Sequence, residues 1–404
     1  MVKGDSMSLL KDIEPIKTID YLKEKFQEYY KNAQIILPPR FTSREWGFLN
    51  WNGGIMNRHV KFSSRKEVNN YLSRVSPAHC YHSVAYYNDP SKNTMIDKEW
   101  LGADLIFDLD ADHLPEMEEV KKGKITFSKL MVYIREQTYR LVVDVLLGDF
   151  GLSEKDLLIT FSGGRGYHVH VRTSEMLTLP SGARRELADY LTGKGLDLNK
   201  ILIDAGRTKE FPIRGRGMER KYISFEKLPE TNAKGWQGRI SRFINHKLDY
   251  FRKLDNKELK VETKNIGVKL DKSDLKGNNE DAFNKLPKSS KKKFVQLALK
   301  ETAIHPDEPV TGDIHRLIRL PGSLHGGSGL KVTAMNYKQL EKFDPMTDAI
   351  AFGNNPVKIR STVKHPVTMG DGIATLKPEA VAELPEKVAI YFMARKWAHL
   401  VLET

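Results

Sequence analysis

The sequence predicts an α+β fold, a mixed core of β-sheets flanked by helices and interrupted by an inserted, mainly helical subdomain. Three observations predict it. Short runs rich in aromatic and β-branched residues crowd residues 41–112, a pattern of strands. Helical periodicity brackets them, from residue 18, from residue 128 and near the C-terminal end. Between about 176 and 299 the composition turns to Lys, Asp, Asn and Glu with scattered helical patterns. The predicted partition is a discontinuous domain of residues 1–175 and 300–404, with 176–299 inserted. At 404 residues and roughly 150 per domain, the chain is long enough for two or three structural units.

Taken in order, Ile19, Leu22, Phe26 and Tyr29 recur at helical spacing behind Thr18, a residue suited to cap a first turn. The runs at 41–48, 59–62, 82–87 and 105–110 read as strands. Ser128–Leu147 returns to helical period through Leu130, Ile134, Leu141 and Val145. Residues 157–161 and 167–171 read as two strands joined by Ser162–Gly166, whose three glycines suit a turn that needs positive φ or close approach of a ligand. In the insertion, 236–246 has helical period and 255–292 is the most linker-like stretch. Pro309–Leu320 and Leu330–Met335 read again as core elements, and Lys387–Leu400 as a closing amphipathic helix.

Composition excludes several classes of function. No apolar stretch approaches the roughly 18 residues of a membrane span, and the opening residues lack an apolar core of secretory length, so neither membrane insertion nor export is expected. The single cysteine, Cys80, leaves no disulfide framework and no zinc site built mainly from thiolates of one chain. Lys and Arg number 65 against 52 Asp and Glu, a formal charge of +13. Residues 201–300 alone hold 25 basic and 13 acidic residues, a net +12. That concentration suits a polyanionic partner, and a solvated lysine surface gives the same count. Asp104, Asp108, Asp110 and Asp112 cluster outside it, as acids kept together to hold a cation would.

Asp108 and Asp110 are two apart, so on a strand both carboxylates share one face. Hard divalent cations with oxygen ligands relieve such a pair, and two ions can clamp an in-line phosphoryl or nucleotidyl transfer; a solvated strand face remains open. An EF-hand loop on Asp108, Asp110, Asp112 and Glu119 is disfavoured by His113 where glycine belongs, by Pro115 and by the preceding strand. The glycine turn supplies backbone N–H groups, the Ser162 hydroxyl and Arg165, all suited to phosphate. His168 and His170 share a strand face, as solvent-facing residues or as a metal pair. Arg316 and Arg319, three apart, would share one side of a helical turn, near Asp307 and His325. No Walker loop is present: Gly322 and Gly327 have its spacing, but Ser328 stands where the lysine belongs.

LIFDLDAD at 105–112, SGGRGYH at 162–168, DEPVT at 307–311 with RLIRLPGSLH at 316–325, and SREW at 43–46 together resemble the small catalytic subunit of archaeal and eukaryotic DNA primases, the archaeal branch most closely. The resemblance implies a primase-type catalytic core with a helical insertion. It implies Asp108, Asp110 and Asp307 as catalytic metal ligands for two Mg²⁺ or Mn²⁺ ions. Ser162, Arg165 and His168 would contact the incoming nucleotide, with Arg44, Arg316, Arg319 and His325 around its triphosphate. The implied activity is synthesis of short primers de novo on single-stranded DNA from nucleoside triphosphates during replication. A large primase subunit in a heterodimer and a replicative DNA polymerase are the implied protein partners, in a cytoplasmic, nucleoid-associated setting. Two departures stand out. The family's zinc-binding Cys/His cluster cannot be assembled from Cys80 alone, so no structural zinc is expected, and Gly164 replaces a second basic residue in the turn. A primer-dependent repair polymerase of the same superfamily and a His/Asp metal-dependent phosphoesterase are the alternatives.

Overall fold

The structure, a computed structural model, describes residues 3–51, 53–113, 127–213, 217–223, 225–370 and 372–401. Two compact units emerge, one formed by residues 1–139, 153–186 and 306–404 and the other by 140–152 and 187–305. Among the described residues no helix is long and apolar enough to cross a membrane.

The first unit opens with α1 (Lys3–Asn32), β1 (Trp46–Leu49), β2 (Asn57–Val60), α2 (Arg65–Val75) and β3 (His79–Ser83). It continues through β4 (Leu105–Asp110), β5 (Leu157–Phe161) and β6 (Gly166–Val171). After the second unit come α3 (Glu308–Gly312), β7 (Leu317–Arg319), β8 (Thr333–Met335) and α4 (Glu386–Ala394). Two four-stranded sheets result, ordered β7-β3-β1-β2 and β8-β5-β6-β4. The first packs Trp46, Phe48 and Cys80 against Phe26 and Tyr30 of α1 and Val68 and Leu72 of α2. Burying each of these large side chains contributes about 1.5–3 kcal/mol. In the second sheet the inner strand β6 is buried along its whole length.

Several elements differ from the sequence reading. Thr18 is no cap: α1 begins at Lys3, and the Thr18 hydroxyl donates to the Glu14 carbonyl at 2.6 Å. Within the stretch read as strands lies α2, capped by Ser64, whose side chain accepts from Glu67 N. The closing segment is not one amphipathic helix. Its helix α4 ends at Ala394 with Val388–Ala394 buried all round, and Ala398–Leu400 pairs with Pro356–Ser361 as a strand. Such a helix belongs inside the unit, where an apolar stripe alone does not describe it.

The second unit is built on Gly235–Lys253, which buries Trp236, Ile240, Ile244, Leu248 and Phe251. The 255–292 stretch, read as linker-like, is ordered. Asn256–Ile266 starts with a capping box of Asp255 and Glu258, and Leu259, Ala282, Phe283 and Leu286 join the unit's core. Sparse apolar residues hid it, because each sits at a core position between charged ones. This unit also carries a β-hairpin, Arg207–Ile213 with Gly217–Ile223, absent from the helical reading.

Candidate active site

The site is built on β4 and β6. They pair antiparallel with Asp108 opposite His168 and Asp110 opposite Gly166, which sets both carboxylates on one face while Phe107 and Leu109 are buried on the other. A strand, not a helix, leads into the acids, as no EF-hand would have it; Pro115 and Glu119 lie outside the described residues. The glycine turn then closes on them. A Cβ at Gly166 would fall 2.3 Å from the Leu109 carbonyl oxygen and 2.9 Å from Asp110 Cα, so only glycine lets the turn lie this near the acids. Gly163 adopts φ +78°, and a Cβ there would meet that of His325 at 2.6 Å. Ser162 Oγ accepts from Gly164 N and Gly166 N, both at 3.3 Å, which leaves its own proton to donate outward.

Asp307 arrives from the far side of the second unit in sequence. Its backbone N–H donates to the Asp108 carbonyl at 2.7 Å, and its carboxylate caps α3 by accepting from Val310 N at 3.2 Å. Burial first, then the Asp110 and Asp307 carboxylates, push the Asp108 carboxyl up to about 7, against the opposing pull of Arg316 and Arg319. Acids held in mutual repulsion, with hard oxygen donors only, fit a divalent cation. Among the described residues no three His, Cys, Asp or Glu side chains converge closely enough to hold one as they stand. Asp108 and Asp110 are the fitted pair, with the Asp307 carboxylate close enough to raise the Asp108 carboxyl.

Facing the acids is a basic wall. A cavity of about 390 Å³, within the range of small-molecule sites, brings together eight of the ten residues singled out from sequence: Asp108, Asp110, Ser162, Arg165, His168, Arg316, Arg319 and His325. His168 Nε2 stands 3.6 Å from Asp108 Oδ1; burial, with Arg319 and Arg316, lowers its pKa to about 3, so it faces the acid as a neutral ring. Arg316 and Arg319 reach the cavity from extended chain at β7, not from the helical turn their spacing suggested. Arg165 pairs with Asp112.

The family model described as DNA primase small subunit matches residues 107–336, which span the acid pair, the turn and the β7–His325 segment. The chain belongs to the DNA primase small subunit family. Relatives named DNA primase small subunit PriS agree over almost the full length. The one from Methanococcoides burtonii is 41% identical over 94% of this chain and 98% of its own. The one from Methanothrix thermoacetophila is 40% identical over 95% and 99%, and the one from Archaeoglobus fulgidus 36% over 93% and 96%. The chain is thus a primase catalytic subunit, a nucleotidyltransferase-type enzyme.

Two of the ten residues do not line the primase cavity. Asp307 is not among its lining residues and adjoins it through the backbone bond to Asp108. Arg44 is fully buried elsewhere, its guanidinium bonded to the Pro39, Ser83 and Val84 carbonyls, the Tyr86 hydroxyl and Asp104. The SREW segment identified it as a nucleotide contact, but every donor direction is already used inside the protein. Asp104 leaves the acidic cluster by the same pairing. His170 is buried against His82, ring centroids 6.2 Å apart, so it forms no metal pair with His168 at the cavity.

Two cavity residues, and a third behind the wall, were not legible as such in the sequence. Tyr81 lies under the Arg319 guanidinium at 5.0 Å, and Arg395 enters from the end of α4. His79 stands behind Arg319 and His325: its Nδ1 accepts from Arg319 Nη1 at 2.7 Å, its ring meets that of His325 edge-on at 4.8 Å, and burial lowers its pKa to about 3. An acceptor at Nδ1 requires the neutral imidazole with its proton on Nε2. Only the period-2 alternation of β3 pointed toward His79 and Tyr81, and alternation does not say what a face opposes.

Proposed function

We propose that this subunit synthesises short primers de novo on single-stranded DNA from nucleoside triphosphates, by nucleotidyl transfer with two divalent ions, Mg²⁺ or Mn²⁺. The single observation that carries the reading is the acid pair and the basic wall facing each other across one cavity. Asp108, Asp110 and Asp307 would hold the ions, which when bound activate the attacking hydroxyl and offset charge on the reacting phosphate. The chain's own groups do the rest. Ser162 donates its free proton to a phosphate oxygen, and the Gly163–Gly164 backbone permits that approach. Arg165, Arg316 and Arg319 neutralise the triphosphate by charge-assisted hydrogen bonds. His325 accepts from Gly327 N at 3.1 Å through Nδ1, so its Nε2 proton is available toward the turn. A large primase subunit is the proposed partner, in line with the relatives' name; a replicative DNA polymerase would receive the primer.

Labelled nucleotides offered with unprimed and with primed single-stranded DNA, with and without a large subunit, test this reading. Product on the unprimed strand is the expected result. Product only where a primer is annealed would favour a repair polymerase of the same superfamily, and strand cleavage without pyrophosphate a phosphoesterase.

His79 makes a smaller, separate prediction. His79→Leu removes the acceptor that fixes Arg319, and the KM for nucleoside triphosphate should rise about tenfold, the loss of one hydrogen bond to a charged group. His79→Asn, which restores an acceptor, should recover most of it. Equal effects of both variants would make His79 a packing residue only.

The basic second unit is proposed to hold template or primer backbone by counterion release. Not every lysine there is available. Lys291 Nζ donates to the Glu226 carbonyl and Lys293 Nζ to that of Gly267, whereas Lys264, Lys269 and Lys292 are exposed. Changing those three to Gln should reduce the slope of log affinity against log salt by about 2 if all three meet a single strand. An unchanged slope would assign them to a solvated surface.

A further inference from the structure

Next to the active cavity lies a second one, of about 290 Å³, for which nucleotidyl transfer at the acid pair has no use. Arg165 and Arg395 line both cavities. The remaining wall includes the rings of His365, Tyr391 and Trp397. The His365 imidazole stacks on the Trp397 indole with 4.0 Å between centroids and 18° between planes. The Arg395 guanidinium lies 5.1 Å from the Tyr391 ring and 5.9 Å from that of Trp397. Among the described residues that line it none is Asp or Glu, in contrast to the acid pair of the neighbouring cavity.

We infer that this cavity is a nucleobase subsite, in which a base extends the His365–Trp397 stack and its phosphate is held between Arg165 and Arg395. The inference rests on the reading of the neighbouring cavity as a nucleotide site. Aromatic faces combined with arginines are the sequence-tolerant means of holding a nucleotide, because every base has a face to stack and every phosphate a charge. Sharing two arginines places the phosphates of neighbouring nucleotides along one basic seam. Packing alone explains part of the arrangement: Trp397 meets Tyr391 and Phe392 edge-on at 6.1 and 6.2 Å. It does not account for Arg165, which reaches this wall from the glycine turn while paired with Asp112 and lines both cavities.

The base could belong to a strand or to a free nucleotide, and the test separates them. Affinities of the full chain are measured for a short oligothymidylate, for an abasic strand of equal length and for a nucleoside triphosphate, with wild type, Trp397→Leu, Trp397→Phe and His365→Leu. Trp397→Leu and His365→Leu should each weaken one base-bearing ligand about tenfold while the abasic strand keeps its affinity, and Trp397→Phe should restore most of the loss. Loss confined to the oligothymidylate identifies a strand base, and loss confined to the triphosphate a free nucleotide. Should Trp397→Leu lower the melting temperature, His365→Leu carries the test, since the imidazole's hydrogen bond is local, Nδ1 to the carbonyl of its neighbour Pro366. Unmoved affinity for both base-bearing ligands, or an equal loss on the abasic strand, would overturn the subsite. A wild-type chain that incorporates no nucleotide on any template would instead overturn the reading of the active cavity, which the binding measurements do not touch.

Discussion

Asp108→Asn is expected to reduce nucleotide incorporation by a factor on the order of 10³ or more, and at the same time to stabilise the metal-free chain. The two effects have one cause. Burial and the Asp110 and Asp307 carboxylates raise the Asp108 carboxyl to about 7. Between about pH 4, its unfolded value, and pH 7 the folded chain therefore binds a proton that the unfolded chain has lost. Stability must fall as pH rises through that window, because the native state is there being made to carry an unwelcome charge. An amide of the same shape has no charge to desolvate and loses the slope. At about 1.4 kcal/mol per pKa unit the gain above pH 7 is on the order of 2–4 kcal/mol, read as a higher melting temperature in chelating buffer at pH 8 and little difference at pH 4. Adding Mg²⁺ or Mn²⁺ should stabilise the wild type by mass action and the variant much less. Full activity of Asp108→Asn would remove Asp108 from the metal site. A variant less stable than wild type at pH 8 would show that its carboxylate is not held against repulsion.

The acid pair and the turn were legible because both rest on short-range rules. Two carboxylates at period 2 share a strand face whatever surrounds them, and three glycines in five residues announce a tight backbone. What tertiary packing decides was not legible. Lys387–Leu400 carries a helical pattern, yet only the surrounding unit determines that α4 is buried on every side and ends at Ala394. The 255–292 stretch has too few apolar residues to suggest a core, and they suffice because helices place Leu259, Phe283 and Leu286 inward together. The Ser64–Glu67 capping signal of α2 was available in the sequence and passed over among aromatic runs. Arg44 fails for a different reason: a motif reports that an arginine is needed, not whether its partner is a phosphate or a buried aspartate.

That distinction has a measurable consequence, the second large effect. Arg44→Ala should cost the chain about 3–5 kcal/mol of stability, the range for removing one partner of a buried ion pair. The guanidinium satisfies three backbone carbonyls at 2.7–3.0 Å, the Tyr86 hydroxyl at 2.6 Å and Asp104 Oδ2 at 2.8 Å, and stacks 4.0 Å from the Tyr86 ring. Removing it leaves those acceptors dry, opens a void and leaves Asp104 with the Tyr86 hydroxyl and Arg172. Arg44→Lys should recover little, since a point charge with three donors cannot span a planar fork. Melting temperature should fall by on the order of 10 °C in a unit of this size. Asp104→Ala should be comparably damaging, and the double variant should lose less than the sum, because each single change strands the other charge. A nucleotide contact behaves otherwise: the KM for triphosphate would rise while the melt stayed that of the wild type. That outcome would place Arg44 in the active cavity and require the buried network to open during the reaction.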